Sequence, residues 1–401
     1  MVCAERAAVR ICATFFPVGT PCRYCAGRAL AGLFSEGLRP RWLLQRGGAI
    51  LQSRRIVLVR LLGTAVLSSS RGIRQPVARG ENPKYRILYL PHACGRSLLC
   101  EFCRLFALGR AARRGAREYL FARRTENPDM ARFAARDWRA GLAAPDENGD
   151  IERINLWYQF LEARVAADMA READALPPAP PGDIYYPSVG VFLARRGGWY
   201  LAAKAGCNAD SHNHNDTGSV ILYRDGRPFL IDLGVETYTQ KTFSPRRYEI
   251  WTMQSQWHNL PTFDGVQQQD GMAFRARDVR TAFSTDAAEM SMELSAAWPP
   301  EARLGRFTRT ARLTKNGFTM CDVCSGEYEM AFLGLMLCEK PQIDGCRVRV
   351  GTFGTLFFEG TCGPIETDTL SVTDERLRIA WPAVLYRLRI PFTNTLTVKA
   401  E

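Results

Sequence analysis

Residues 211–234 read SHNHNDTGSVILYRDGRPFLIDLG, and their reading decides the fold. From Ser219 onward the stretch is a β-hairpin turning at Asp225-Gly226, because Asp-Gly between alternating apolar residues supplies the positive-φ pair of a tight hairpin turn. His212 and His214 stand two apart just before it. On an extended segment such side chains leave on the same face. Asp232 lies near the end of the return strand, and His258 follows in WHNLP. The chain holds only four histidines, so three in this neighbourhood are a concentration. Two neutral imidazoles and a carboxylate are a normal three-ligand set for Zn2+, with a fourth position left for water or substrate. Strict pairing about the turn sets Asp232 opposite Ser219 rather than His214. The chain must therefore bend near Gly218 to bring His214 to a shared ion, which glycine permits.

Outward from this hairpin the apolar period is 2 through the rest of the chain. YYPSVGVFLARR and WYLAAKAG flank Gly197-Gly198, and RFTRTARLTKNGFTMCDVCSG turns at Asn316-Gly317. CRVRVGTFGTLFFEG and RLRIAWPAVLYRLRI continue the strands to the C-terminus. Many strands joined by tight turns, without helices between them, predict an antiparallel β-sandwich over 183–401. Upstream the period is 3.6. PDMARFAARDWRAGL (128–142) sets Met130, Phe133, Ala134 and Trp138 at helical spacing. Residues 150–176 form a second helix, with Asp150 as N-cap and Ile154, Trp157, Tyr158, Leu161, Val165 and Met169 along one face. PPAPPG (177–182) ends it as a stiff linker between a helical segment, 116–176, and the strands.

The 401 residues carry a net charge of +12, unevenly distributed. Residues 1–128 hold 22 Arg and one Lys against six Glu and no Asp. These arginines form no helical stripe and no nucleic-acid motif, so no nucleic-acid partner is expected. Cys22-x-x-Cys25 and Cys100-x-x-Cys103 are too far apart for a zinc ribbon, whose pairs stand about 15–20 residues apart. Residues 1–115 are an atypical basic segment with the composition of an out-of-frame or disordered stretch. No apolar run reaches the ~20 residues of a membrane-spanning helix. Glu5 and Arg10 interrupt any export signal, so the chain reads as cytoplasmic, and 13 scattered cysteines fit free thiols. Cys207 reads as a small buried residue rather than a fourth ligand, and Cys321-x-x-Cys324 as packing on a strand.

The stretch SHNHNDTGSVILYRDGRPFLIDLGVETYTQKTF, followed by RYEIWTMQSQWHNLP, resembles the heparinase II/III family of polysaccharide lyases. The resemblance implies an α+β multidomain chain: the truncated remnant of an N-terminal (α/α) toroid, then a C-terminal antiparallel β-sandwich. It implies β-elimination on a uronate-containing acidic polysaccharide and one mainly structural zinc held by His214, Asp232 and His258. His212 would face the substrate as the catalytic base or carboxylate-binding group, a task suited to an imidazole titrating near working pH. Asn213, Asn215 and Asp216 are expected to support the metal ligands. Arg247, Tyr248 and Trp257 are expected to bind substrate, cations meeting the polyanion and rings stacking on sugar; Tyr238, Lys241 and Trp251 are weaker candidates. The family's toroid supplies a catalytic tyrosine, and GLFSEGLRPRWLLQRGGAILQSRRIVLVRLL contains none. A non-catalytic, zinc-containing glycan-binding β-sandwich is therefore the alternative. Family members often work in the periplasm or cell envelope.

Overall fold

The computed structural model describes residues 116–142, 156–175, 182–210 and 213–401. Helices come first. Helix α1 (Ala116–Arg124) leads into α2 (Pro128–Leu142), whose start is fixed by Asn127: its side chain accepts the Met130 backbone N–H at 3.0 Å, with Pro128 and Asp129 opening the first turn. Met130, Ala134 and Trp138 recur every four residues and are buried as the spacing predicts. They pack with Tyr119 of α1 and with Val165, Met169 and Ala173 of α3 (Leu156–Asp174). Trp138 also donates its indole N–H to Glu162 at 2.7 Å. The apolar stripe expected along α3 is buried only in its C-terminal part; at the other end Trp157 stays exposed, beside Leu156 and Phe160. Asp150 and Ile154, like nearly all of 177–182, lie outside the described residues. Among the described residues no helix is long and apolar enough to cross a membrane.

The rest is antiparallel sheet. Strands β1 (Ile184–Tyr186), β2 (Val191–Arg196), β3 (Trp199–Lys204), β5 (Val220–Arg224) and β6 (Arg227–Leu230) form a five-stranded sheet in the order β1-β2-β3-β5-β6. β4 (Cys207–Asn208) pairs separately with β8 (Gly271–Arg275). The larger sheet comprises β7 (Pro261–Phe263), β9 (Arg277–Phe283), β10 (Ala287–Glu293), β11 (Leu304–Thr314), β12 (Gly317–Gly326), β13 (Ala331–Leu337), β14 (Pro341–Asp344), β15 (Arg347–Val350), β16 (Gly354–Thr361), β17 (Glu366–Ser371) and β18 (Val384–Ala400). β18 is long enough to serve two neighbourhoods. Its first half pairs with β13 and β17, its second with β12 and β16. One face of the smaller sheet (Phe192, Trp199, Leu201, Val220, Leu222) shares a core with Met290, Met292, Phe307, Ala311, Leu313, Phe318 and Met320 of the larger. The two sheets thus bury their apolar faces against each other, which period-2 patterning demands.

Local chemistry corrects three expectations. The β11–β12 hairpin turns at Lys315-Asn316, since Thr314 pairs with Gly317, one residue earlier than expected. The Asp225-Gly226 turn forms as expected, with φ of 49° and 75°, yet the hairpin is not in strict register. Tyr223 pairs with Pro228 but Leu222 with Leu230, so Phe229 is an extra, bulged residue that slides the return strand by one. Finally, RLRIA is not strand. Asp374 accepts the backbone N–H groups of Arg376 and Leu377, both at 3.0 Å, and nucleates a short helix, α4 (Glu375–Ala380). It buries Leu377 against Ile231, Leu233 and Trp381.

Candidate metal centre

The loop that carries His214 is tied down residue by residue. Ser211 and His212 lie outside the described residues, so the expected catalytic imidazole is not placed. From Asn213 onward the backbone is fixed. The Ser219 N–H donates to the Asp216 carbonyl at 3.0 Å, closing a four-residue turn whose third position, Gly218, has φ of 95°. A Cβ there would stand 2.6 Å from Leu294 Cδ1, so conformation and space both require glycine. Lys204 on β3 exchanges backbone hydrogen bonds with Gly218 and Ser219. Its ammonium forms a wholly buried ion pair with Asp216. Thr217 donates to Asn208 at 2.8 Å, and Gln268 donates to the Thr217 carbonyl at 2.7 Å.

Asp232 arrives from the other side. Beyond β6 the chain leaves the small sheet, with the Ile231 N–H donating to Met336 of β13 at 3.0 Å. One carboxylate oxygen of Asp232 accepts the Gly234 N–H at 3.2 Å. Single 3-10 turns at Lys241–Phe243, Arg247–Glu249, Trp251–Met253 and Ser255–Trp257 then wind the chain back to His258. The Asn259 side chain fixes the approach, donating to the carbonyls of Val220 and Ile231 at 2.6 and 3.0 Å.

His214, Asp232 and His258 converge as the three-ligand set requires. All three are buried, and a ligand atom from each lies within 4.8 Å of the others. The His258 Nδ1 and Asp232 Oδ2 are 2.7 Å apart, and the two imidazole centroids 5.3 Å. Among the described residues, His214 Nε2 and His258 Nε2 have no hydrogen-bond partner although both are buried. Buried polar atoms are nearly always satisfied, and two orphaned imidazole nitrogens beside a carboxylate are what an ion would satisfy. The residues fit a metal.

Electrostatics agree. Burial pushes His214 well below the ordinary imidazole range, helped by the neighbouring His258, so it is neutral and able to ligate. For His258 burial also acts downward, but the Asp232 charge and hydrogen bond outweigh it and its value is raised. Asp232 is lowered to about 2: burial opposes ionisation, and His258, His214 and the Gly234 N–H together overcome it. Without metal, the Asp232 charge and hydrogen bond favour the protonated form of His258, and an ion arriving there competes with that proton.

The remaining expected site residues surround this set in different ways. Arg247 donates to the Asn213 carbonyl through Nε and Nη2 at 3.2 and 2.9 Å, and to the Thr242 carbonyl at 3.0 Å. Tyr248 donates its hydroxyl to Asn213 Oδ1 at 2.8 Å; burial raises that phenol's pKa. Arg247 and Tyr248 therefore clamp the residue between His212 and His214. Trp257 lies under the Arg387 guanidinium at 3.8 Å and meets Trp251 edge-on. Trp251 in turn donates to Glu236 at 2.6 Å. Asn215 donates to the Gln268 carbonyl at 3.3 Å, and Asp216 holds Lys204. Tyr238 faces Phe243 and Arg376, and Lys241 pairs with Glu249. Cys207 is half-buried, with its sulfur toward Asp210, and is not in the ligand set. Lys204, Asn259 and Gln268 were not singled out from the sequence. Lys204 carried the one available signal, a lysine inside the apolar run WYLAAKAG.

Comparison with known proteins matches this part of the chain to one family. The family model described as "Heparinase II/III-like, C-terminal" matches residues 178–334. No curated protein matches the sequence. Among solved structures, the heparan sulfate lyase HepC from Pedobacter heparinus is similar with a TM-score of 0.52 at 14% identity, covering 78% of this chain and 44% of that one. A mutant of that lyase gives 0.51 at 14%, covering 79% and 45%. A heparinase III structure gives 0.47 at 13%, covering 71% and 52%. The chain thus spans less than half the length of the HepC lyase whose fold it shares.

Proposed function

From the premise that residues 178–334 are a heparinase II/III-like C-terminal domain, we propose that the chain is a polysaccharide lyase acting by β-elimination on uronate-containing acidic glycans. The observation that carries this is the buried His214, Asp232 and His258 set with two unpartnered Nε2 atoms, directly beside the segment bearing His212. In the reaction a base takes the proton at C5 of the uronate. The electron pair left behind forms the C4–C5 double bond, the C4–O4 bond breaks, and O4 takes a proton from an acid. The uronate carboxylate must be neutralised as charge builds at C5, so a cation or hydrogen-bond donors must face it.

His212 is the base or carboxylate-facing group in this reading. What supports this reading is the adjoining residue: Asn213 is held by Arg247 through its carbonyl and by Tyr248 through its side chain. His214, Asp232 and His258 would hold a metal ion, zinc by the donor set of two imidazoles and a carboxylate, which would supply structural cross-linking of the segments that carry them. Trp257, Arg247 and Tyr248 border the glycan site, with Asn213, Asn215 and Asp216 holding the ligand loop. Helices α1–α3 are the end of a toroid that precedes the sandwich in the chain.

The test is turnover of a panel of uronate polymers by the zinc-loaded protein, followed through the ultraviolet absorbance of the unsaturated uronate product. A rise that His212→Ala abolishes is the expected result; binding with no product from any polymer refutes catalysis. A second reading, a glycan-binding sandwich that keeps its metal but does not turn over, is favoured by the lack of a tyrosine in GLFSEGLRPRWLLQRGGAILQSRRIVLVRLL. Glycan affinity without ultraviolet product is its signature.

A further inference from the structure

Inside the shared core, the facing strands β11 and β12 carry an ion pair where the pattern calls for apolar residues. On β11 the buried residues Phe307, Arg309, Ala311 and Leu313 alternate inward, and on β12 Phe318, Met320, Asp322 and Cys324 do the same. Arg309 and Asp322 are direct cross-strand partners. The guanidinium fork donates Nε to one carboxylate oxygen at 2.7 Å and Nη2 to the other at 2.6 Å. Their side chains are 0% and 1% exposed.

The third nitrogen reaches out of the pair. Arg309 Nη1 donates to the Gly218 carbonyl at 2.9 Å and to the Asn259 carbonyl at 2.7 Å. Gly218 belongs to the turn that follows His214, and Asn259 directly follows His258. Asn259 extends the connection with its own side chain. It donates to Ile231, the neighbour of Asp232, and to Val220, and it accepts the Met336 N–H at 2.8 Å. All three ligand-bearing segments are therefore tied to one buried guanidinium or to the asparagine it holds.

Stability alone does not call for such a pair, because well-packed apolar residues in place of a buried ion pair are often neutral or stabilising. What apolar residues cannot do is hold two carbonyls from separate loops at a fixed separation. We infer that Arg309, paired with Asp322 and acting through Asn259, is a positioning residue that preassembles the His214, Asp232 and His258 metal centre. The inference rests on the reading of this set as a metal site and is independent of lyase activity. Arginine is needed because its planar fork serves the carboxylate with one edge and both carbonyls with the remaining nitrogen. A lysine at this place can satisfy one side or the other.

The test compares the wild type with the double variant Arg309→Met/Asp322→Leu, which replaces the pair by apolar side chains, and with Arg309→Lys, which keeps the charge opposite Asp322. Zinc affinity is read by competition with a chromogenic chelator, and geometry by the visible spectrum of the cobalt-loaded protein. Loss of support around metal ligands costs about 10–100-fold in affinity. The double variant should bind zinc that much more weakly with an altered cobalt spectrum, and Arg309→Lys should fall between. Wild-type zinc affinity and cobalt spectrum in a folded double variant overturn the inference, as does a change confined to the melting temperature of the metal-free protein. If the double variant does not fold, Arg309→Lys decides on the same two readouts. Failure of the wild type to bind zinc or cobalt overturns the metal reading itself, and this inference with it.

Discussion

Removing the metal should destabilise the sandwich by an amount that the orphaned imidazoles set. A buried polar group left without a partner costs about 1–3 kcal/mol. His214 Nε2 and His258 Nε2 are two such groups, so satisfying both stabilises the fold by about 2–6 kcal/mol. Mass action gives a similar scale, since ligand at 1,000 times its Kd contributes about 4 kcal/mol. For a domain of this size, at about 2–4 °C per kcal/mol, that is a melting shift of roughly 4–24 °C. The assay is thermal unfolding by circular dichroism in excess zinc and in excess chelator, for the wild type and for His214→Ala. That substitution leaves the His258–Asp232 hydrogen bond untouched while deleting one ligand. The wild type should show the shift, and His214→Ala should lose most of it. Cobalt should substitute for zinc where calcium and magnesium do not, as imidazole donors dictate. Equal melting temperatures in zinc and chelator, or an undiminished zinc shift in His214→Ala, would falsify the metal assignment.

Other perturbations probe the support of the site. Breaking the buried Lys204–Asp216 pair with Lys204→Met leaves a carboxylate without its cation and should cost about 3–5 kcal/mol in denaturant unfolding, part of which Asp216→Asn restores. Gly218→Ala places a methyl against Leu294 at a φ of 95° and should cost on the order of 1–3 kcal/mol; adding Leu294→Ala should relieve crowding but not backbone strain. Because Asp232 is lowered to about 2 in the fold, its contribution is fully present above its unfolded value of 3.8 and is lost as pH falls through 2. Acid titration of the metal-free protein should show this loss, on the order of 2 kcal/mol, and Asp232→Asn should remove it from the profile. Tyr248→Phe deletes the hydroxyl that grips Asn213 and should cost about 0.5–1.5 kcal/mol, measured by chemical denaturation.

The parts of the fold that sequence disclosed are those where a residue type has one strong local meaning. Asp225-Gly226 could only be a tight turn, and its two positive φ values are why. The Pro-Asp start of PDMARFAARDWRAGL had to open a helix, and α2 begins at Pro128. RLRIA carried no such signal. Its alternation suits a strand, and only the Asp374 cap together with burial of Leu377 makes it helical. The bulge at Phe229 was read through as well, since the apolar run PFLI continues across it and only the register with β5 shows the shift.

The site divides along the same line. Its ligands stood out because histidine is scarce in this chain, with four in 401 residues. Their supports did not, because asparagine, glutamine, lysine and arginine are everywhere in a sequence and only burial separates a structural one from a solvated one. Arg309 is the instructive case. Once Phe307, Ala311 and Leu313 are recognised as the inward set of RFTRTARL, parity alone places Arg309 inward with them. The same parity on the facing strand turns Asp322 inward between Met320 and Cys324. A cation and an anion meeting across a hairpin, both on its apolar side, require further polar groups beyond themselves to use the remaining donors. Here those groups are the carbonyls beside the metal ligands, so a charge misplaced by the rules of strand patterning points from the core straight to the site.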